Sequence, residues 1–215
     1  MPRESVNLKT ELAQAWRNIG VADWQRLKEL GCAEGFAGLE GGGIGVEHIE
    51  GDESRALYHP GGKLRAFIVP IMFGAALVNL LAWRPGRGGL LDRVWMREEG
   101  ICCLGQPAIA KAIRHAAPLK IYRSPRTWAC NGRDGIVIGD RRCDLRDLLP
   151  IAEIAAEDTE HADEIARRLK RARFANLPPM PAVTVAPLCC VCKHAAAKTV
   201  AKKFYCATHA AGMAA

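Results

Sequence analysis

Leu64-Arg65-Ala66-Phe67-Ile68-Val69-Pro70-Ile71 and, after a break at Phe73-Gly74, Ala75-Ala76-Leu77-Val78-Asn79-Leu80-Leu81-Ala82-Trp83 decide how this chain folds. Both runs are apolar, and turn formers bound them: Pro60-Gly61-Gly62 before the first, Arg84-Pro85-Gly86-Arg87-Gly88-Gly89 after the second. The pair therefore reads as two buried strands joined by a loop. Working outward, further strands are expected around Arg93-Val94-Trp95-Met96, Lys120-Ile121-Tyr122-Arg123 and Gly135-Ile136-Val137-Ile138. Gly45-Val46-Glu47-His48-Ile49-Glu50 alternates like a strand too. The glycine-rich stretch before it, Glu34 to Gly43, has no following Lys-Ser/Thr pair and reads as a loop rather than a phosphate cradle.

Helices flank these strands. Leu8, Leu12, Trp16 and Ile19 repeat at helical spacing up to Gly20, and Asp23 can cap a second helix carrying Trp24, Leu27 and Leu30 up to Gly31. Trp16 and Trp24 read as core anchors. A short helix fits Pro107 to His115, and Trp128 falls in a loop. The clearest helix covers residues 157–174: Asp158 or Thr159 caps it, acids fill its start and bases its end, and Asp163–Arg167 and Glu164–Arg168 are favourable pairs. Ala162, Ile165, Leu169 and Ala172 form its inner stripe. The fold expected is α+β, a mostly antiparallel curved sheet with flanking helices over residues 1–175. The proline-rich residues 176–187 read as a linker, and residues 188–215 as a small zinc-binding module.

That module carries the strongest chemical signal. Cys189 and Cys192 form one close pair, Cys206 and His209 another, with thirteen residues between the pairs. Three thiolates and an imidazole suit tetrahedral Zn²⁺, and four protein ligands leave no open position, so the ion is expected to be structural. Cys190 and His194 stand nearby as spare ligands with less suitable spacing. The arm from Val200 to Tyr205 is expected to be a strand delivering Cys206. So small a unit has almost no core, and its folding depends on the metal. The arrangement resembles the zinc-ribbon and treble-clef tails, whose exposed faces contact nucleic acid or protein.

The net charge of +7 is uneven. Residues 1–59 hold six Lys/Arg against ten Asp/Glu, residues 60–150 fifteen against seven, and the tail adds Lys193, Lys198, Lys202 and Lys203 with no acid. A basic middle and tail suit a polyanion, so nucleic acid is the expected partner, with a protein partner as the alternative. Arg84, Arg87, Arg141, Arg142, Lys198, Lys202 and Lys203 are the candidate nucleic-acid contacts. Ala66 to Trp83 is interrupted by Pro70, Gly74 and Asn79, so no membrane span is expected, and Met1 to Ser5 lack the apolar core of a secretory signal. Nine cysteines are an odd number, three of them fit a metal site, and a reducing cytoplasm is the expected setting. Cys32, Cys102, Cys103, Cys130 and Cys143 read as buried small hydrophobes.

Gly62 to Ile71 with Ala76 to Arg84 resembles the paired strands that precede the Toprim fold of bacterial-type DNA primases, and Tyr122-Arg123-Ser124-Pro125 stands where those proteins have Asn-Ser-Pro. The resemblance implies that Gly135 to Asp140 is the Toprim strand. That family holds Mg²⁺ with a Glu at the strand end and a later Asp-x-Asp; here Gly139 occupies the Glu position and no Asp-x-Asp follows. No catalytic residue is therefore assigned. Asp140 and Asp144 could hold a metal in a degenerate phosphoryl-transfer enzyme, but read more simply as a turn residue and a cap for the segment from Leu145. Cys102, Cys103 and Cys130 with His115 could supply a nucleophile, although nothing in the sequence brings them together. The expectation is a non-catalytic, zinc-containing, nucleic-acid-associated accessory protein of phage or mobile-element type. A protein-binding adaptor or inhibitor is the alternative, and a primase-like enzyme the second.

Overall fold

A computed structural model describes residues 7–37, 43–86 and 92–172, and the backbone of 182–185, 198–200 and 203–205. The zinc-ligand candidates Cys189, Cys192, Cys206 and His209, together with Cys190, His194, Arg87 and Lys202, lie outside the described residues. The chain divides into two compact units. One is Met1–Gln106 with Ile138–Cys143; the other is Pro107–Val137 with Asp144–Ala215.

The first unit contains α1 (Leu8–Asn18), α2 (Val21–Glu29), α3 (Ala33–Phe36), β1 (Gly45–Asp52), β2 (Leu57–Pro60), β3 (Leu64–Phe73), β4 (Ala76–Arg84), β5 (Arg93–Met96) and β6 (Cys103–Leu104). Strands β1 to β5 close into a barrel in the order β1-β2-β5-β4-β3, antiparallel throughout except where β2 meets β5. The two founding runs are the β3–β4 hairpin, with a bulge between Ile71 and Met72. Side chains alternate between faces along a strand. Ala66, Ile68, Leu80 and Ala82 pack with Ile49, Tyr58 and Trp95 against Leu12 and Ala15 of α1. On the other parity, Phe67 and Phe36 set their rings 5.4 and 5.6 Å from that of Trp83. Burial on both faces is why β3 and β4 read as largely apolar runs rather than alternating ones.

Close approach fixes α1 on the barrel: a Cβ at Gly45 would lie 2.6 Å from the Ala15 carbonyl carbon, so only glycine fits there. Two polar features lie within this packing, one buried and one part-buried. Asn79, 1% exposed, donates to the carbonyls of Glu98 (2.9 Å) and Ile101 (2.7 Å) and accepts from the Leu80 and Glu98 N–H groups. All its hydrogen-bonding capacity is used, which makes a buried amide tolerable. Glu11 accepts from the Tyr58 hydroxyl (2.8 Å) and from Arg97 Nε (2.8 Å). Burial and the Glu11 carboxylate push the Tyr58 phenol well above its ordinary value.

The second unit contains α4 (Pro107–His115), β7 (Leu119–Tyr122), α5 (Pro125–Cys130), β8 (Ile136–Ile138, its last residue counted with the first unit), β9 (Glu153–Ala156), α6 (Thr159–Ala172) and β10 (Ala182–Val185). Its sheet is parallel, in the order β10-β9-β7-β8. Further on, β11 (Lys198–Val200) and β12 (Lys203–Tyr205) pair as an antiparallel hairpin between the positions of Cys192 and Cys206.

The α+β architecture and curved antiparallel sheet agree with expectation, and a separate parallel sheet is added to them. Strand β9 went unread because Glu153-Ile154-Ala155-Ala156 is alanine-rich. Strand β10 lies within the stretch read as linker. Trp128 sits in α5 rather than a loop, buried, with its indole N–H on the Gly135 carbonyl (2.9 Å). Trp16 is 36% exposed rather than a core anchor, because Leu12 and Ala15 take the inner face of α1. No helix of the described residues is long and apolar enough to cross a membrane.

Candidate functional site

In the second unit the chain leaves β7 toward β8 on one side and later crosses to β9 and β10 on the other. The strand order therefore reverses between β7 and β9. In open parallel sheets, ligands bind beyond the carboxyl ends of the strands at such a reversal. The residues there are Arg123 and Ser124, which follow β7, and Glu157 and Asp158, which follow β9.

Local chemistry explains each position. Ser124 caps α5 by accepting from the Thr127 N–H (3.2 Å), and Pro125 starts the helix with no N–H to satisfy. Asp158 caps α6 by accepting from the His161 N–H (2.8 Å). Arg123 spans the gap, donating from Nε (3.2 Å) and Nη2 (2.8 Å) to the two oxygens of Asp158, with Glu160 at 3.6 Å. The Arg123 N–H also donates to Glu157 (3.1 Å).

These contacts set the protonation of the edge. Arg123 holds the Asp158 carboxyl below its ordinary value, and Asp158 raises the guanidinium in return. Burial dominates at Glu157 and raises its carboxyl, against the lowering effect of the Arg123 N–H and Thr127. His161 is 6% exposed, and its Nδ1 is buried with no hydrogen-bond partner among the described residues. Desolvation, then Arg123, pull its pKa down to about 4, against Asp158 and Glu164. At neutral pH the edge thus holds a buried, neutral imidazole beside a bidentate arginine–carboxylate pair.

A second cluster lies in the first unit. The sulfur atoms of Cys102, Cys103 and Cys143 all fall within 4.8 Å of one another, a group that could hold a metal ion. Cys102 and Cys143 are joined as a disulfide, and Cys103 Sγ lies 3.9 Å from Cys143 Sγ. Cys102 and Cys103 are buried as expected, but the reading of the three as buried small hydrophobes is corrected on two points: Cys143 is half-buried, and it is bonded to Cys102 with Cys103 beside it. Cys32 is buried as expected, while Cys130 is half-buried with its thiol pushed up by burial.

The other residues picked from sequence are dispersed. Arg84 ends β4, exposed, and Arg141 and Arg142 follow β8, also exposed. Arg142 is tied to Asp140 through its backbone N–H (2.8 Å) and its guanidinium (3.0 Å). Asp140 is thereby a turn residue. Asp144 accepts from the Arg146 N–H (3.0 Å) and pairs with that side chain, which lowers its carboxyl. It braces the short 3₁₀ turn Arg146–Leu148. Lys198 and Lys203 fall in β11 and β12.

Sequence reading missed Arg123, Glu157 and His161 as members of one edge. The available signal was an acidic pair directly after a short apolar stretch and before a helix. No family model matches this chain, and no curated protein does.

Proposed function

We propose that this chain is a non-catalytic, nucleic-acid-associated accessory protein of phage or mobile-element type, with a structural Zn²⁺ held by Cys189, Cys192, Cys206 and His209. The observation that carries the non-catalytic part is the bidentate contact of Arg123 with Asp158 at the strand reversal. Metal-dependent phosphoryl transfer in the primases this chain resembles needs free carboxylates at strand ends. Here a fixed cation occupies the end of β7 and takes both oxygens of Asp158, which repels a divalent ion and removes its ligands. Asp140 and Asp144, the other carboxylates considered, are engaged by Arg142 and Arg146. The nucleic-acid part is supported by the net charge of +7 and by the exposed Arg84 and Arg141.

Fluorescence anisotropy with single- and double-stranded DNA and RNA tests this reading. About four phosphate contacts should weaken binding about 100-fold between 50 and 200 mM salt. Absence of binding at 50 mM would refute it and direct attention to protein partners.

A further inference from the structure

We propose that Cys102, Cys103 and Cys143 form a redox-gated, three-thiolate site for one soft divalent ion of the zinc class, separate from the C-terminal ligand set. A structural disulfide needs two sulfurs, and here three converge. Two zinc-bound thiolates in a tetrahedron stand about 3.8 Å apart when each Zn–S bond is about 2.3 Å. Cys103 and Cys143 already stand at 3.9 Å.

Backbone contacts hold the donors together independently of the S–S bond. Cys102 precedes β6 and Cys103 begins it, and the Cys102 carbonyl accepts from the Gly139 N–H (2.8 Å). Cys143 closes the following turn, its N–H donating to the Asp140 carbonyl (3.1 Å). Reduction therefore releases two thiols that stay beside the third. Gly139 is confined in turn, since a Cβ there would lie 2.5 Å from Met96 Sδ. Cys143 is half-buried while Cys102 and Cys103 are buried, so an ion has a way in.

The oxidised state cannot bind, because two of the three donors are committed to each other. A dithiol reductant opens the site: it passes two electrons and two protons to the Cys102–Cys143 bond and becomes a disulfide itself. Three protein thiolates leave one coordination position for a solvent ligand, unlike the saturated four-ligand set of the tail.

The test uses the full chain carrying Cys189→Ser, Cys190→Ser, Cys192→Ser and Cys206→Ser, which removes the four tail thiolates, with Cd²⁺ as probe. After reduction with a phosphine, one Cd²⁺ per chain should bind and show the sulfur-to-cadmium charge-transfer band; the oxidised chain should show none. Adding Cys103→Ala leaves the disulfide pair intact, so folding can be checked in the oxidised state. This variant, once reduced, should bind Cd²⁺ at least about tenfold more weakly. No Cd²⁺ bound by the reduced chain would overturn the site. Equal affinity after Cys103→Ala would overturn the three-thiolate assignment.

Discussion

His161 gives the second unit a specific sensitivity to acid. Its imidazole is buried and held to a pKa of about 4, against 6.5 in an unfolded chain. A depressed native value contributes stability that is fully present above 6.5 and lost as pH falls through 4. Between those limits the unfolded chain takes up a proton that the folded chain refuses. Integrating from pH 7.5 to pH 5.0 gives a loss of about 2 kcal/mol from this one group, a change of about 30-fold in the local opening equilibrium. Glu157 titrates with the opposite sign: its carboxyl is raised, so its contribution is present below the ordinary value and lost as pH rises through the folded one.

Replacing His161 with leucine isolates the effect, because Glu157 and the other carboxylates are common to both chains. The backbone N–H of residue 161 remains to donate to Asp158. The measurement is hydrogen exchange of the α6 amides by mass spectrometry at pH 7.5 and 5.0, expressed as protection factors. The parent should lose about 30-fold more protection than His161→Leu on acidification. Equal losses in the two chains would refute the claim that this histidine is buried neutral.

Other perturbations follow from contacts in the first unit. Asn79→Leu leaves the Glu98 N–H and the Glu98 and Ile101 carbonyls without their partner. It should cost about 3 kcal/mol in urea denaturation. Gly45→Ala forces a methyl group against the Ala15 backbone and should lower stability by about 2 kcal/mol, read in the same assay. Tyr58→Phe removes a 2.8 Å hydrogen bond to a carboxylate; about 2 kcal/mol should be lost, and a loss below 0.5 kcal/mol would contradict the geometry. Arg84→Glu combined with Arg141→Glu should flatten the salt dependence of nucleic-acid binding by about two contacts while leaving the circular dichroism spectrum unchanged. If the proposed tail site holds zinc, chelation should make residues 188–215 the first to be cut by protease.

The sequence was most readable where one local rule governs. Strands β3, β4 and β5 and helices α4 and α6 lie within a few residues of their expected places, since each has an apolar run or a charge gradient ended by turn residues. Asp158 as a cap and Asp140 as a turn former were legible for the same reason: their partners lie two or three residues away. The reversal between β7 and β9 was not, because it depends on the pairing of Ile121 with Ala156, distant in sequence. Alanine in β9 also gave no strand signal of its own. The cysteine trio was hidden similarly: the adjacency of Cys102 and Cys103 is visible, but what brings Cys143 beside them is a backbone bond at Gly139. Trp16 misled because spacing places a residue on a helix face without saying how far the neighbouring barrel reaches.

The interleaving of the two units has a consequence during synthesis. The first unit takes its final segment, Ile138–Cys143, from beyond the start of the second. On a ribosome adding about 5–20 residues per second, the 37 residues from Gln106 to Cys143 take roughly 2–7 s to appear. Through that interval the barrel can close, yet Cys102 waits with neither the Gly139 amide nor the Cys143 thiol. Strands β7 and β8 are made within the same interval, before β9, the other neighbour of β7, exists. Neither unit can be completed before the other has begun, which makes this chain one translational unit despite its two cores.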